Sequence, residues 1–104
     1  MPAEAREKNR PALVVQNDRD NRRLSNTVVA MISGNTQHAA EPTQVFVDPN
    51  IPNGASSRLH GPSVVKCCNL VTIRQQDVFR TIGRLSDSLL AEVDSALKSA
   101  LQLP

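Results

Sequence analysis

The chain has no tryptophan and no tyrosine, and its only aromatics are Phe46 and Phe79. A core of 104 residues must therefore be assembled from Val, Ile, Leu and Ala. At this length the chain fits one domain, spanning 1–104, that buries only roughly 60–65 % of its unfolded surface. So thin a core predicts help from an oligomer interface. Cysteine is also scarce: the two present, Cys67 and Cys68, are adjacent. Consecutive strand residues point to opposite faces, so this pair neither chelates one metal nor bridges itself, and both read as reduced thiols. No apolar run approaches the 18 or so residues of a membrane span, and the charged N-terminus has no apolar signal-peptide core. The cytoplasm is the expected location.

Metal and cofactor patterns are missing as well. His38 and His60 stand alone in loop sequence, without an HxxxH, HxH or CxxC partner, so no metal is expected. There is no GxSxG, P-loop or GxGxxG, and no Cys/His nucleophile pair. The carboxylates Glu4, Glu7, Asp18 and Asp20 lie in polar sequence and mark no acid/base dyad. The formal charge of +2 and pI of about 8.8 do not by themselves indicate nucleic acid. The distribution says more, since Arg6, Lys8, Arg10, Arg19, Arg22 and Arg23 all precede residue 24.

Residues 1–9 carry no hydrophobic period and are expected to form a disordered arm. Ala12 to Gln16 predicts a short strand buried on both faces. Asn17 to Asn26 predicts a polar loop, and Thr27 to Ile32 a β-branched strand. Ser33-Gly34-Asn35 is a turn signal. Thr43 to Val47 predicts a third strand, and Asp48 to Pro62 a long irregular loop of the kind that carries function. Ser63 to Lys66, extending toward Asn69, predicts a fourth. Val71 to Ile73 and Val78 to Ile82 are shorter strand candidates. Ser86 to Leu101 is an amphipathic helix: Leu89, Leu90, Val93, Ala96, Leu97, Ala100 and Leu101 form one stripe, with Ser86 as N-cap. Strands followed by a single helix predict a mainly β (α+β) domain, a small barrel covered by that helix.

Two residues stand out for chemistry. Arg10 puts a permanently charged, planar fork of donors at the mouth of the first strand, and Pro11 holds it extended. Ser33 puts a hydroxyl at the end of the second strand, followed by glycine, where side chain and backbone can both donate to a phosphoryl oxygen. An arginine and a hydroxyl at the ends of neighbouring strands make a small phosphate-binding constellation.

Four motifs in this order resemble the MazF/PemK family of toxin endoribonucleases. They are Arg10-Pro11-Ala12-Leu13-Val14-Val15, then Met31-Ile32-Ser33-Gly34, then Lys66-Cys67-Cys68-Asn69-Leu70, and finally Thr81-Ile82-Gly83-Arg84-Leu85-Ser86. The resemblance implies a partly open SH3-like barrel of the CcdB/Kid type with a C-terminal helix. It further implies a homodimer, a cognate antitoxin partner, and metal-independent, cofactor-free cleavage of single-stranded RNA through 2′-hydroxyl attack. Carried over, Arg10 and Ser33 are the catalytic pair. Glu7, Lys8, Arg22, Arg23, Gly34, Asn35, His60, Lys66 and Asn69 are the candidate RNA-binding residues. The sequence departs from the family in three places. No opening strand of the type RGDIVLVDF precedes Arg10, Ala5 stands where an acidic or amide residue is usual, and Cys68 replaces an acidic residue found in some members. These departures give an alternative reading, a degenerate member that only dimerises and binds antitoxin. A gyrase poison on the same barrel type is a third, disfavoured by the Arg-Pro start.

Overall fold

The computed structural model describes residues 10–104. The expected arm over 1–9 and the question of an opening strand fall outside the described residues. Four antiparallel strands form one sheet in the order β1-β2-β4-β3. They are β1 (Ala12–Val14), β2 (Asn26–Ser33), β3 (Gln44–Val47) and β4 (Ser63–Arg74). The helices are α1 (Asp18–Arg23), α2 (Pro52–Ala55) and α3 (Asp87–Leu101).

β4 organises the sheet. Its partners in β2 run from Ser33↔Val64 to Met31↔Lys66, then jump to Ala30↔Leu70. Cys67, Cys68 and Asn69 thus have no partner in β2. A bulge of this kind bends the strand and increases its twist, and it curls the sheet into the expected half-barrel. The predicted strand at Val71–Ile73 is therefore not separate but the far half of β4, which pairs with Asn26 to Val29. On its other edge the near half of β4 pairs with β3, from Val47↔Ser63 to Gln44↔Lys66.

One face of the sheet takes α3. Ala30, Ile32, Val45, Val47, Val65 and Cys67 meet Leu85, Leu89, Val93 and Ala96 in a continuous core, with Leu13, Val15 and Leu70 packed against it. Cys67 is buried and Cys68 exposed, as strand alternation requires. Burial pushes the Cys67 thiol pKa up, and the neighbouring Cys68 adds to the rise. α3 starts where expected: the Ser86 hydroxyl accepts from the Leu89 N–H at 3.3 Å. Asn53 Oδ1 accepts from both the Ser86 and Ser88 hydroxyls at 2.7 Å, tying α2 to the start of α3.

The expected irregular loop from Asp48 to Pro62 contains the short helix α2, and three further expectations need correction. β1 is not buried on both faces, because it lies at the sheet edge, and Ala12 and Val14 are exposed. Asn17 to Asn26 is not a loop throughout. Asn17 caps α1, accepting from the Asp20 N–H at 2.9 Å, with Asp18 and Asp20 in the first turn and Arg22 and Arg23 in the last. Caps and helix-dipole charges hold this helix, and hydrophobic periodicity cannot reveal such a segment. Val78 to Ile82 forms no strand. After a 3₁₀ turn at Gln75–Asp77 the chain runs irregularly, with Val78, Phe79 and Ile82 exposed. It ends where the Arg84 N–H donates to the Ser56 carbonyl at 2.9 Å and the Ser56 hydroxyl donates back to the Arg84 carbonyl at 2.9 Å.

Candidate active site

The sheet face opposite α3 is laid out by register alone. Cross-strand partners point to the same side, so the pairings give rows. Val14, Val29 and Val71 form one row. Ala12, Met31, Lys66 and Gln44 form the next. The Ile32 N–H donates to the Pro11 carbonyl at 3.3 Å, extending the β1–β2 ladder beyond Ala12. Arg10 precedes β1, and the same register continued one residue further brings it level with Ser33, whose row runs on through Val64 and Phe46.

The chemistry of the pair follows from its surroundings. Arg10 is exposed. The ion pairs among the described residues are Arg23–Asp20 at 3.1 Å and Arg74–Asp77 at 3.2 Å, so neither Arg10 nor Lys66 is neutralised there. Ser33 is half-buried, and its Oγ accepts from the Asn35 N–H at 3.1 Å. That bond orients the hydroxyl and leaves its proton free to donate. Asn35 in turn accepts from the Gln37 N–H at 3.1 Å, which shapes the turn after Ser33. Gly34 is exposed, and a Cβ there would meet nothing within 4 Å. Lys66 adds a second cation one row in from Ser33.

The other predicted residues divide. His60 is exposed and lies shortly before Ser63, at the same end of the sheet as Ser33. Asn69 is exposed within the bulge, out of register with the rows. Arg22 and Arg23 are brought to the opposite end. α1 joins the far ends of β1 and β2, where the Thr27 hydroxyl donates to Asn21 Oδ1 at 2.7 Å. The eight residues of β2 span about 23 Å, so these two arginines do not join Arg10 in one cluster. Glu7 and Lys8 lie outside the described residues. Gln44 and Phe46 share the face but were not predicted. Their signal was present in the alternation of Thr43 to Val47, which puts both opposite the apolar Val45 and Val47.

The face is covered at its middle, where Val29 and Val64 are buried, and exposed at Arg10, Ala12, Val14 and Phe46. Two concavities flank α3, one along Thr43, Cys67, Cys68, Leu70 and Ser99 to Gln102, the other along Ala39 to Val45 and Ala91 to Ser99. Neither includes Arg10 or Ser33. No group of three or more His, Cys, Asp or Glu residues able to hold a metal occurs among the described residues. No described helix is long and apolar enough to cross a membrane.

A curled antiparallel half-barrel with one covering C-terminal helix is the fold of the MazF-type toxins. Residues 1–101 match the model of the PemK-like, MazF-like toxins of type II toxin-antitoxin systems, and the chain belongs to that family. It is 37 % identical over 97 residues to the endoribonuclease MazF6 of Mycobacterium tuberculosis strain H37Rv, covering 92 % of this chain and 81 % of that one. It is 34 % identical to the endoribonuclease EndoA of Bacillus subtilis strain 168, over 90 % of this chain and 77 % of that one. Among solved structures, the M. tuberculosis toxin MazF-mt6 superposes with a TM-score of 0.76 at 34 % identity, covering 91 % of this chain and 88 % of that one.

Proposed function

We propose that the chain cleaves single-stranded RNA without a metal, with Arg10 and Ser33 as the catalytic pair. As a toxin of this family it is an endoribonuclease; the pair and the mechanism are the new element. The observation that supports the assignment is the β1–β2 register, which, continued past β1, brings the exposed Arg10 level with Ser33. The 2′-hydroxyl oxygen attacks the adjacent phosphorus, the bond from phosphorus to the 5′ oxygen breaks, and a 2′,3′-cyclic phosphate and a 5′-hydroxyl result. Solvent water accepts the 2′ proton, and water returns a proton to the leaving 5′ oxygen. Arg10, permanently charged, stabilises the charge that develops on the phosphorane oxygens. Ser33, already oriented by Asn35, donates a hydrogen bond to a non-bridging oxygen. Positioning and preorganised charge suffice for such a step.

The remaining parts of the reading rest on the same face. Lys66, Gly34, Asn35 and His60 lie around the pair and contact neighbouring phosphates and sugars. A cognate antitoxin silences the site by covering it. The exposed Val14 and Val71, flanking Val29, together with the thin core, favour a homodimer, and an RNA substrate places the protein in the cytoplasm.

The test is incubation with a long single-stranded RNA in EDTA. Wild type is expected to give discrete fragments, and Arg10→Ala or Ser33→Ala to lower the rate by on the order of 10²–10³-fold without unfolding the chain. Undiminished cleavage by either folded variant would refute the assignment.

A further inference from the structure

The row that holds the catalytic pair does not end at Ser33. It continues through Val64 to Phe46 on the outer strand. Val64 is completely buried, so the row has a filled apolar floor between its two functional ends. Phe46, by contrast, is 43 % exposed, although its neighbours Val45 and Val47 are buried in the core on the other face. Its ring therefore stands on the same face as Arg10 and Ser33, two strand spacings from Ser33. That separation is about 10 Å, the span of a nucleotide from its phosphate through the ribose to its base.

Single exposed apolar side chains are common and need no explanation. Phe46 differs in its placement. The other aromatic, Phe79, lies in the irregular segment after the 3₁₀ turn, toward the far end of the sheet. Phe46 is thus the aromatic that shares a face with the pair. Beside it, one row in, Gln44 sits across from Lys66, so an amide able to read base edges adjoins a cation suited to a phosphate. Single-stranded RNA is recognised by splayed bases stacked on aromatic rings and read along their hydrogen-bonding edges.

We infer that Phe46 is a base-stacking platform, which holds the base of a nucleotide next to the scissile phosphate while Arg10 and Ser33 hold that phosphate. This deepens the ribonuclease reading and rests on it. Phe46 makes no bond to the reacting atoms. It fixes where the RNA lies and thereby adds to the choice of cleavage site.

The experiment uses a 2′-O-methylated copy of an RNA that the wild type cuts, spanning the cut, so that binding is measured without turnover. Phe46→Ala is expected to weaken binding by roughly 5- to 150-fold, the range for losing one stacked base. Phe46→Tyr should restore most of it and Phe46→Leu little, since leucine keeps apolar bulk but has no π-face. An abasic nucleotide is then walked along the RNA. Wild type should lose affinity at one position beside the cut, and Phe46→Ala should be insensitive at that same position. The melting temperature of each variant separates binding from folding. Unchanged affinity in a folded Phe46→Ala variant, or full restoration by leucine, overturns the inference while leaving the ribonuclease reading intact. A wild type that cuts no RNA overturns both.

Discussion

Gly83 offers the sharpest test of how the site end of the molecule is held together. An ideal Cβ on Gly83 would lie 2.4 Å from the Ser57 carbonyl oxygen, 2.5 Å from that of Ser56 and 2.7 Å from the Ser57 carbonyl carbon. All three are backbone atoms, so no side chain can rotate away. Gly83→Ala must force the segment before α3 off the segment after α2. The opening breaks the Arg84 N–H to Ser56 hydrogen bond and stretches the reciprocal Ser56 hydroxyl bond. Overpacking costs about 1–3 kcal/mol and each lost hydrogen bond about 1 kcal/mol, giving about 2–4 kcal/mol. Against a typical total of about 5–15 kcal/mol that is a large fraction, equivalent to a melting point lower by roughly 10–20 °C. Gly61→Ala is the control: a Cβ there meets nothing within 4 Å, and no glycine described has positive φ. It should leave stability within about 0.5 kcal/mol or raise it slightly. Urea unfolding followed by circular dichroism reads both variants. If Gly83→Ala is as stable as Gly61→Ala, the two segments are not packed backbone to backbone and the reasoning fails.

Two further outcomes follow from the geometry. Arg22→Ala and Arg23→Ala should change RNA cleavage by less than about threefold at physiological salt, since they stand farther from Arg10 than charge interactions reach in solvent; a loss comparable to that of Arg10→Ala would place them in the site after all. Cys68 should react with iodoacetamide in the native protein and Cys67 only on unfolding. The raised pKa of Cys67 also has a signed consequence: the unfolded chain ionises this thiol first. The stability it contributes is complete below the ordinary thiol value and declines as the pH climbs through the raised one. Cys67→Ala should flatten that decline in urea titrations stepped through the alkaline range, and an unchanged alkaline slope would count against the burial argument.

The parts of the fold that were legible in the sequence are those in which one local pattern governs. α3 has a capping serine and an unbroken apolar stripe, and it begins and ends almost where the stripe does. β2 and β3 were legible because β-branched or alternating residues fill them. α1 was missed because nothing in it is buried and its helix signals are polar. The strand expected at Val78 to Ile82 failed for the converse reason. Five apolar-rich residues carry the same local signal whether or not a partner strand exists, and only the tertiary arrangement says that this run has none among the described residues.

The site shows the same division one level up. Arg10 and Ser33 were readable as a pair at the ends of neighbouring strands, but the register that brings them level was not, because it depends on which residues of β1 and β2 face each other. A one-residue slip in that register would turn Arg10 away from Ser33 and onto the face that packs α3, where an unpaired guanidinium could not be accommodated. The core therefore fixes the register on which the proposed pair depends: Leu13 and Val15 pack against the cluster that contains Ala30 and Ile32. The same alternation that buries Val45 and Val47 puts Phe46 on the outer face. In a chain with two aromatics, the exposure of Phe46 is thus set by the packing of its neighbours, and the proposed site row is the reverse side of the hydrophobic core.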